Sequence, residues 1–271
     1  MELAEKYQAC VDALKDFCAN TGFTDAVIGL SGGIDSALVA AMAAEAMGPE
    51  RVHGVLLPGP YSSEHSIEDA EELARRLGMR IQTVSICEPF EAFERALATA
   101  CGGRLDGLAA ENTQARIRMT CIMAISNTYG RMMLNTGNKS EACMGYSTLY
   151  GDTAGAFAPI GGLYKTDVFA LCRWLNQRAA EAGEVEPIPV HIITKPPSAE
   201  LSPDQSDENS LGVTYEELDQ ILMAYVERGE SAEAIAAAGH DRALVDRIIS
   251  TTDFYEFKRA IEPPYPDVKF Y

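Results

Sequence analysis

Ala26-Val27-Ile28-Gly29-Leu30-Ser31-Gly32-Gly33-Ile34-Asp35-Ser36-Ala37-Leu38 is the stretch on which the fold turns. An apolar run ends abruptly in small residues, and a helical pattern starts directly behind it. Val27, Ile28 and Leu30 read as a buried parallel strand, while Leu38, Val39 and Met42 open a stripe of helical period. Gly32 and Gly33 permit a tight turn whose amides point into a common space. Those amides, Ser31, Ser36 and the positive end of the following helix suit a phosphate chain. Asp35 has the same sign as phosphate, so its expected role is to hold a divalent cation that contacts the phosphates. No Gly-Lys-Ser/Thr follows, so this is not a Walker A loop, and it lacks the spacing of the dinucleotide fingerprint. On the glycines alone, an ordinary strand–turn–helix with Ser31 as its cap stays open.

Working outward, Leu3 to Phe17 is expected to form an amphipathic helix and Asp25 to Leu30 the first strand. Asp35 to Met47 forms the next helix, stopped by Gly48-Pro49. Further strands are expected at Arg51 to Leu57, Arg80 to Ile86 and Arg131 to Asn135. Helical patterns lie between them: one that Ser63 precedes, running through Ile67, Ala70, Leu73 and Leu77 and closed by Gly78, then Pro89 to Ala100 and Glu111 to Tyr129. This alternation predicts an α/β fold, a doubly wound parallel sheet with flanking helices. Ligands in such sheets lie beyond the carboxyl ends of the strands, so the loops after Leu30, Leu57 and Asn135 should open onto one crevice. One domain over 1–271 is expected, with an α/β core over 1–190 and a flap and helical extension over 191–271.

The fourth strand leads into Asn135-Thr136-Gly137-Asn138-Lys139-Ser140-Glu141, again a strand end, a polar turn and a short helix. Glu141 has two readings. It completes a capping box with Asn138, or it faces Asp35 across the crevice and shares a Mg²⁺ with it; the first loop favours the cation. Tyr150-Gly151-Asp152-Thr153-Ala154-Gly155 and the glycines before Tyr164 are too polar and broken for core and read as a binding loop. Lys165 starts an amphipathic helix, which would hold its ammonium near the crevice to neutralise a departing pyrophosphate. Arg116 and Arg118 cannot share a helix face, so one is expected at ligand and the other in an ion pair. Lys195 to Glu208, stiffened by Pro196 and Pro197, reads as a flap. Tyr215 to Val226 and Ser231 to Ile249 read as small helices, and Lys258-Arg259 as a solvated surface pair.

The chain has 271 residues and a net charge of -18, from 40 acidic and 22 basic residues. That balance disfavours a nucleic-acid partner. No apolar run suggests a signal peptide or a membrane span. Seven scattered cysteines without a close pair fit a reduced cytoplasmic protein, with Cys143 as small apolar filler.

Taken together, several strings resemble the synthetase domain of NAD⁺ synthetases, within the superfamily of ATP pyrophosphatases. They are Ser31-Gly32-Gly33-Ile34-Asp35-Ser36, Gly137-Asn138-Lys139-Ser140-Glu141, Tyr150-Gly151-Asp152, Leu163-Tyr164-Lys165-Thr166, Pro197-Ser198-Ala199-Glu200-Leu201 and Lys258-Arg259. The resemblance implies a ligase that adenylates the nicotinate carboxylate of deamido-NAD⁺ with ATP and amidates it with ammonia. It implies ATP contacts at Gly29, Ser31, Gly32, Gly33, Asp35, Ser36, Thr136, Lys165 and Ser198, and Mg²⁺ at Asp35 and Glu141. It further implies deamido-NAD⁺ contacts at Arg116, Asp152 and Lys258, and a homodimer. Two strings depart from some ammonia-dependent members: Phe257-Lys258 stands for a His-Lys pair, and Thr148-Leu149 where those members carry a Lys. Both look more like the synthetase half of glutamine-dependent enzymes. Because 24 residues precede the first strand and no Cys-centred glutaminase site is visible, the expected nitrogen source is free ammonia or a separate glutaminase. The competing expectations are a different substrate for amidation or thiolation, and a regulatory subunit that only binds nucleotide.

Overall fold

Strand β1 (Ala26–Gly29) lies inside the sheet because both of its faces are apolar. Ala26 and Ile28 pack with the first long helix, α1 (Leu3–Thr21), and with α2 (Ile34–Met47), while Val27 packs on the opposite side. The computed structural model describes residues 1–203 and 205–271. Asp204, inside the expected flap, lies outside the described residues. β2 (Val52–Leu56), α3 (Glu64–Leu77) and β3 (Arg80–Thr83) follow, then α4 (Cys87–Cys101), α5 (Gly107–Tyr129) and β4 (Met132–Leu134). All pairings are parallel, and the order is β3-β2-β1-β4. The sheet therefore reverses direction of growth between β1 and β4, where a ligand crevice is expected. A single parallel bridge from Leu134 to Phe157 extends the sheet beyond β4.

Alternation along each strand divides the core in two. Ala26, Ile28, Val52, Leu56, Met132 and Leu134 face α1 and α2; Val27, Val55 and Met133 face α4 and α5. β3, exposed and carrying Arg80 and Gln82, forms a polar edge. The helix signals predicted from the sequence are present in detail. Ser63 Oγ accepts the Ser66 N–H at the start of α3, and Gly78 closes it in the left-handed region.

Beyond β4 come α6 (Lys139–Met144), a long irregular run, α7 (Lys165–Glu181), α8 (Val190–Thr194) and α9 (Asp207–Leu211). α10 (Tyr215–Leu222) continues into a π-helical turn, Met223–Glu227, followed by α11 (Ala232–Ala237), α12 (Arg242–Phe254) and α13 (Glu256–Arg259). The stretch expected to be helical from Ser231 to Ile249 is divided by Gly239, whose φ is 116°. Leu218, Ile221, Val245 and Ile248 build a second core around Cys143, Met144 and Tyr164. The chain end returns to α7: the Tyr271 hydroxyl accepts the Tyr164 N–H at 3.1 Å and donates to Asp167.

The loop between β1 and α2 depends on one glycine. Gly32 has φ 76°, and a Cβ there would lie 2.2 Å from the Ser66 carbonyl oxygen on α3. Gly32→Ala must therefore open the loop away from α3 as well as adopt a left-handed conformation costing about 1–2 kcal/mol. The expected result is a fall in unfolding free energy of at least that size by urea titration, with loss of nucleotide binding; wild-type stability and binding would show that the loop is not held against α3.

Candidate active site

Ser31 and Ser36 shape the first loop from within. Ser36 Oγ donates to the Gly33 carbonyl at 3.0 Å, and Ser31 Oγ accepts the Gly33 N–H at 3.1 Å. Asp35 follows on the first turn of α2. Across the reversal point, Asn138 caps α6 by accepting the Glu141 N–H at 3.0 Å and donates through Nδ2 to Asp35 Oδ1 at 2.8 Å. Half of the expected capping box is thus real. The Glu141 carboxylate, however, turns to the crevice and not back onto Asn138.

Lys165 occupies the centre. Its Nζ lies 2.6 Å from Asp35 Oδ2 and 3.1 Å from Glu141 Oε1, and its side chain is 2% exposed. Burial by itself would lower its pKa; the Asp35 and Glu141 carboxylates more than reverse that, and the ammonium stays charged. Burial works against the charged form of Glu141, reinforced by Asp35 and Asp207 and opposed by the Lys165 ammonium that it faces. One lysine thus faces three carboxylates, Asp35, Glu141 and Asp207, which leaves the floor of the crevice with excess negative charge. Such oxygens suit a hard divalent cation. Among the described residues, no group of three or more His, Cys, Asp or Glu is arranged to hold a metal by itself. A cation on Asp35 and Glu141 would need phosphate oxygens and water to complete its shell.

A crevice of about 350 Å³ opens above this floor, lined by the loops after β1, β2 and β4 together. Gly29, Ser31, Gly33, Asp35 and Ser36 line it, as do Thr136, Glu141, Asp152, Lys165 and Ser198. Gly32 stands behind, against Ser66. Asp152 accepts the Thr148 N–H at 2.6 Å. Two expected contacts are placed differently. Arg116 is exposed, outside the crevice lining, and donates to the Leu149 carbonyl at 3.1 Å. Arg118 is the arginine in the crevice wall, anchored by Nε to the Leu57 carbonyl at 3.0 Å. The reason is helical phase: Ala115, Arg118, Met119 and Ile122 form the crevice-facing stripe of α5. The ion pair expected for one of the two arginines is absent among the described residues. Lys258, also outside the lining, donates to the Gly145 and Ser147 carbonyls at 2.7 and 2.6 Å, which makes it a tie for the loop after α6. Cys143 is buried filler, its thiol raised to about 11 by burial.

The flap is clasped to α3. Glu200, with φ 49°, accepts the Ser63 and Ser66 hydroxyls at 2.9 and 2.8 Å. Lys195 Nζ contacts Asp69 at 2.7 Å, and Gln114 Nε2 donates to the Leu201 carbonyl at 2.9 Å. Glu200 lies in the Pro197 to Leu201 string that carries the family resemblance, but no role was assigned to it there.

The comparisons with known proteins identify the family. Residues 6–262 match the family described as NAD synthase. The chain belongs to the NAD synthase family. It is 49% identical over 270 residues to the glutamine-dependent NAD(+) synthetase of Rhodobacter capsulatus, an alignment covering 98% of this chain and 48% of that protein. The chain spans about half the length of the curated relatives it matches. Among solved structures, glutamine-dependent NAD+ synthetase from Acinetobacter baumannii, in complex with ADP, superposes with TM-score 0.69 at 38% identity, covering 99% of this chain and 48% of that one. NMN synthetase from Francisella tularensis superposes with TM-score 0.78 at 33% identity, covering 96% of both chains. The fold of this chain is that of the family, a parallel sheet flanked by helices with a C-terminal helical region. No helix among the described residues is long and apolar enough to cross a membrane.

Asp152 gives the site a pH signature. Loss of hydration within the crevice raises it from 3.8 to about 6, against the pull of the Thr148 amide, Lys258 and Arg118. A carboxylate raised in the fold withdraws stability as pH climbs from its ordinary value through its folded one. Asp152→Asn retains the acceptor for Thr148 and should gain thermal stability over wild type from pH 4 upward, levelling off above pH 6. A melting-temperature difference independent of pH would contradict this origin.

Proposed function

We propose that this chain is the synthetase that adenylates the nicotinate carboxylate of deamido-NAD⁺ with ATP and amidates it with ammonia. The observation that carries the reading is Lys165 buried between Asp35 and Glu141 at the mouth of the glycine loop. That arrangement concentrates charge where the β and γ phosphates of a nucleotide on the loop would lie.

A carboxylate oxygen of the nicotinate bonds to the α-phosphorus of ATP, and the bond to pyrophosphate breaks. The Ser31 to Ser36 loop and the amino end of α2 bind the phosphate chain, with Thr136 and Ser198 as further nucleotide contacts. Lys165 meets the negative charge that grows on pyrophosphate. Asp35 and Glu141 would hold Mg²⁺, which when bound supplies Lewis-acid charge to the phosphates. Ammonia then bonds to the acyl carbon, the bond to AMP breaks, and the nitrogen releases a proton. No protein nucleophile is required. Asp152 faces the crevice as a contact for the deamido-NAD⁺ end, and Arg118 replaces Arg116 as the guanidinium placed to meet an anion. The clasped flap shields the acyl adenylate from water. Family resemblance alone supports a homodimer and a separate glutaminase as alternative source of nitrogen. A second reading has the likeness to NMN synthetase behind it: the same chemistry on nicotinic acid mononucleotide.

Purified chain should form NAD⁺ from deamido-NAD⁺, ATP, Mg²⁺ and an ammonium salt, with the rate rising with pH as free amine replaces ammonium. Glutamine at matched concentration should give little product, and robust glutamine-driven synthesis would overturn the nitrogen assignment. Turnover of nicotinic acid mononucleotide with none of deamido-NAD⁺ would select the second reading.

Asp35→Ala should lower turnover about 10²-fold or more. The fold should persist, because Glu141 still pairs with Lys165. Unchanged pyrophosphate release in this variant would remove Asp35 from the reaction.

A further inference from the structure

Neither Glu141 nor Lys165 stands on the sheet. Glu141 belongs to a six-residue helix beyond β4, and Lys165 opens α7 after a long irregular run. The C-terminal helices supply what holds them. Asp219, on α10 with no solvent exposure, accepts the Ser140 hydroxyl and the Thr166 N–H, the latter at 2.8 Å. Ser140 Oγ in turn accepts the Lys165 N–H at 2.8 Å. Eight residues along, Glu227 accepts the ammonium of Lys139 and the hydroxyl of Tyr164, the latter at 2.8 Å. The two carboxylates therefore bind donors immediately before Glu141 and on both sides of Lys165.

On an uninterrupted α-helix, residues eight apart diverge by about 80° around the axis. The π-helical turn at Met223–Glu227, closed by Arg228 N–H to the Met223 carbonyl at 3.3 Å, absorbs one residue. Glu227 then stands where a seventh residue would, about 20° from Asp219. One side of one helix can thus grip both segments. Leu218, Ile221 and Leu222 press the same helix onto Cys143, Met144 and Tyr164.

We propose that Asp219 and Glu227 are positioning residues that set Glu141 and Lys165 at their working separation, with the π-helical turn bringing the two acids into one grip. Neither touches substrate; each acts through the backbone or neighbours of the residues it holds. The inference rests on the roles given to Glu141 and Lys165 above. Charge-assisted hydrogen bonds from the Thr166 amide, the Ser140 and Tyr164 hydroxyls and the Lys139 ammonium have the directionality for it, where apolar packing would not.

The test compares the full chain with Asp219→Asn and Glu227→Gln, which keep side-chain volume and remove charge. Three measurements are needed: NAD⁺ formation against ATP and Mg²⁺, thermal melting, and amide hydrogen exchange over 139–144 and 164–168 without substrate. Asp219→Asn should stay folded, lose about 10- to 100-fold in kcat, require more Mg²⁺ for half-maximal rate, and exchange faster in those two segments while the sheet strands are unchanged. Glu227→Gln should do the same to a smaller degree, since its amide oxygen still accepts from Tyr164. A folded Asp219→Asn with a lower melting temperature but wild-type kcat, Mg²⁺ requirement and exchange would overturn the proposal, reducing Asp219 to packing. If Asp219→Asn fails to fold, Ser140→Ala, which deletes only the bridging hydroxyl, is measured the same way with the same two outcomes. An inactive wild-type chain would refute the functional reading, and hydrogen exchange would still decide whether the grip exists.

Discussion

The ammonium of Lys165 is the point on which the molecule converges. A charge buried to this extent is tolerable only with partners, and losing one from such a pair costs roughly 3–5 kcal/mol. Its partners come from remote parts of the chain: Asp35 from the turn after β1, Glu141 from the helix after β4. Asn138 adds a hydrogen bond to the same Asp35. The strand order that sets β1 beside β4, the glycine turn that lets Asp35 begin α2 at the strand's end, and the irregular run that delivers Lys165 all serve this meeting. The C-terminal helices are part of the same construction, because their buried acids fix the segments on which the cluster stands.

The cluster also accounts for how a protein with a net charge of -18 can present a crevice suited to anions. Cationic groups stand at set points around it, Lys165 among the floor carboxylates, Arg118 in the wall and Lys195 at the rim beside Asp69, with the amino end of α2 facing the same space. In a low-dielectric recess such charges act more strongly than the dispersed surface acids. Excess carboxylate on the floor then favours a cation arriving with the phosphates over phosphate by itself.

The parts of this arrangement legible in the sequence were those with local signatures. Short apolar runs, alternation in the third strand and period-3.6 patterns located the four strands and most helices, and Ser63, Gly78 and Asn138 marked ends that the structure retains. The glycine loop and Glu141 stood out as small and polar residues following strands, Asp152 as part of a polar, broken segment, and Lys165 as the start of an amphipathic helix; Gly29, Ser31, Gly33, Asp35, Ser36, Glu141, Asp152 and Lys165 line the crevice. That Arg118 and not Arg116 lines this crevice depends on the rotational phase of α5. The signal existed: Ala115, Met119 and Ile122 share a stripe with Arg118 and not with Arg116. Lys258 was drawn toward substrate by resemblance, whereas carbonyls 111 and 113 residues away in the chain engage it. Asp219 and Glu227 had no sequence signal at all. Each is one acid among many, and its meaning lies wholly in partners brought near by tertiary packing.

Ser66 belongs to two structures at once. Its carbonyl oxygen packs against Gly32 closely enough to forbid a methyl group there, and its hydroxyl is one of the anchors of Glu200 in the flap. The phosphate loop and the cover over the crevice therefore share a single residue on the first turn of α3. A displacement of that turn must therefore be felt in both contacts at once.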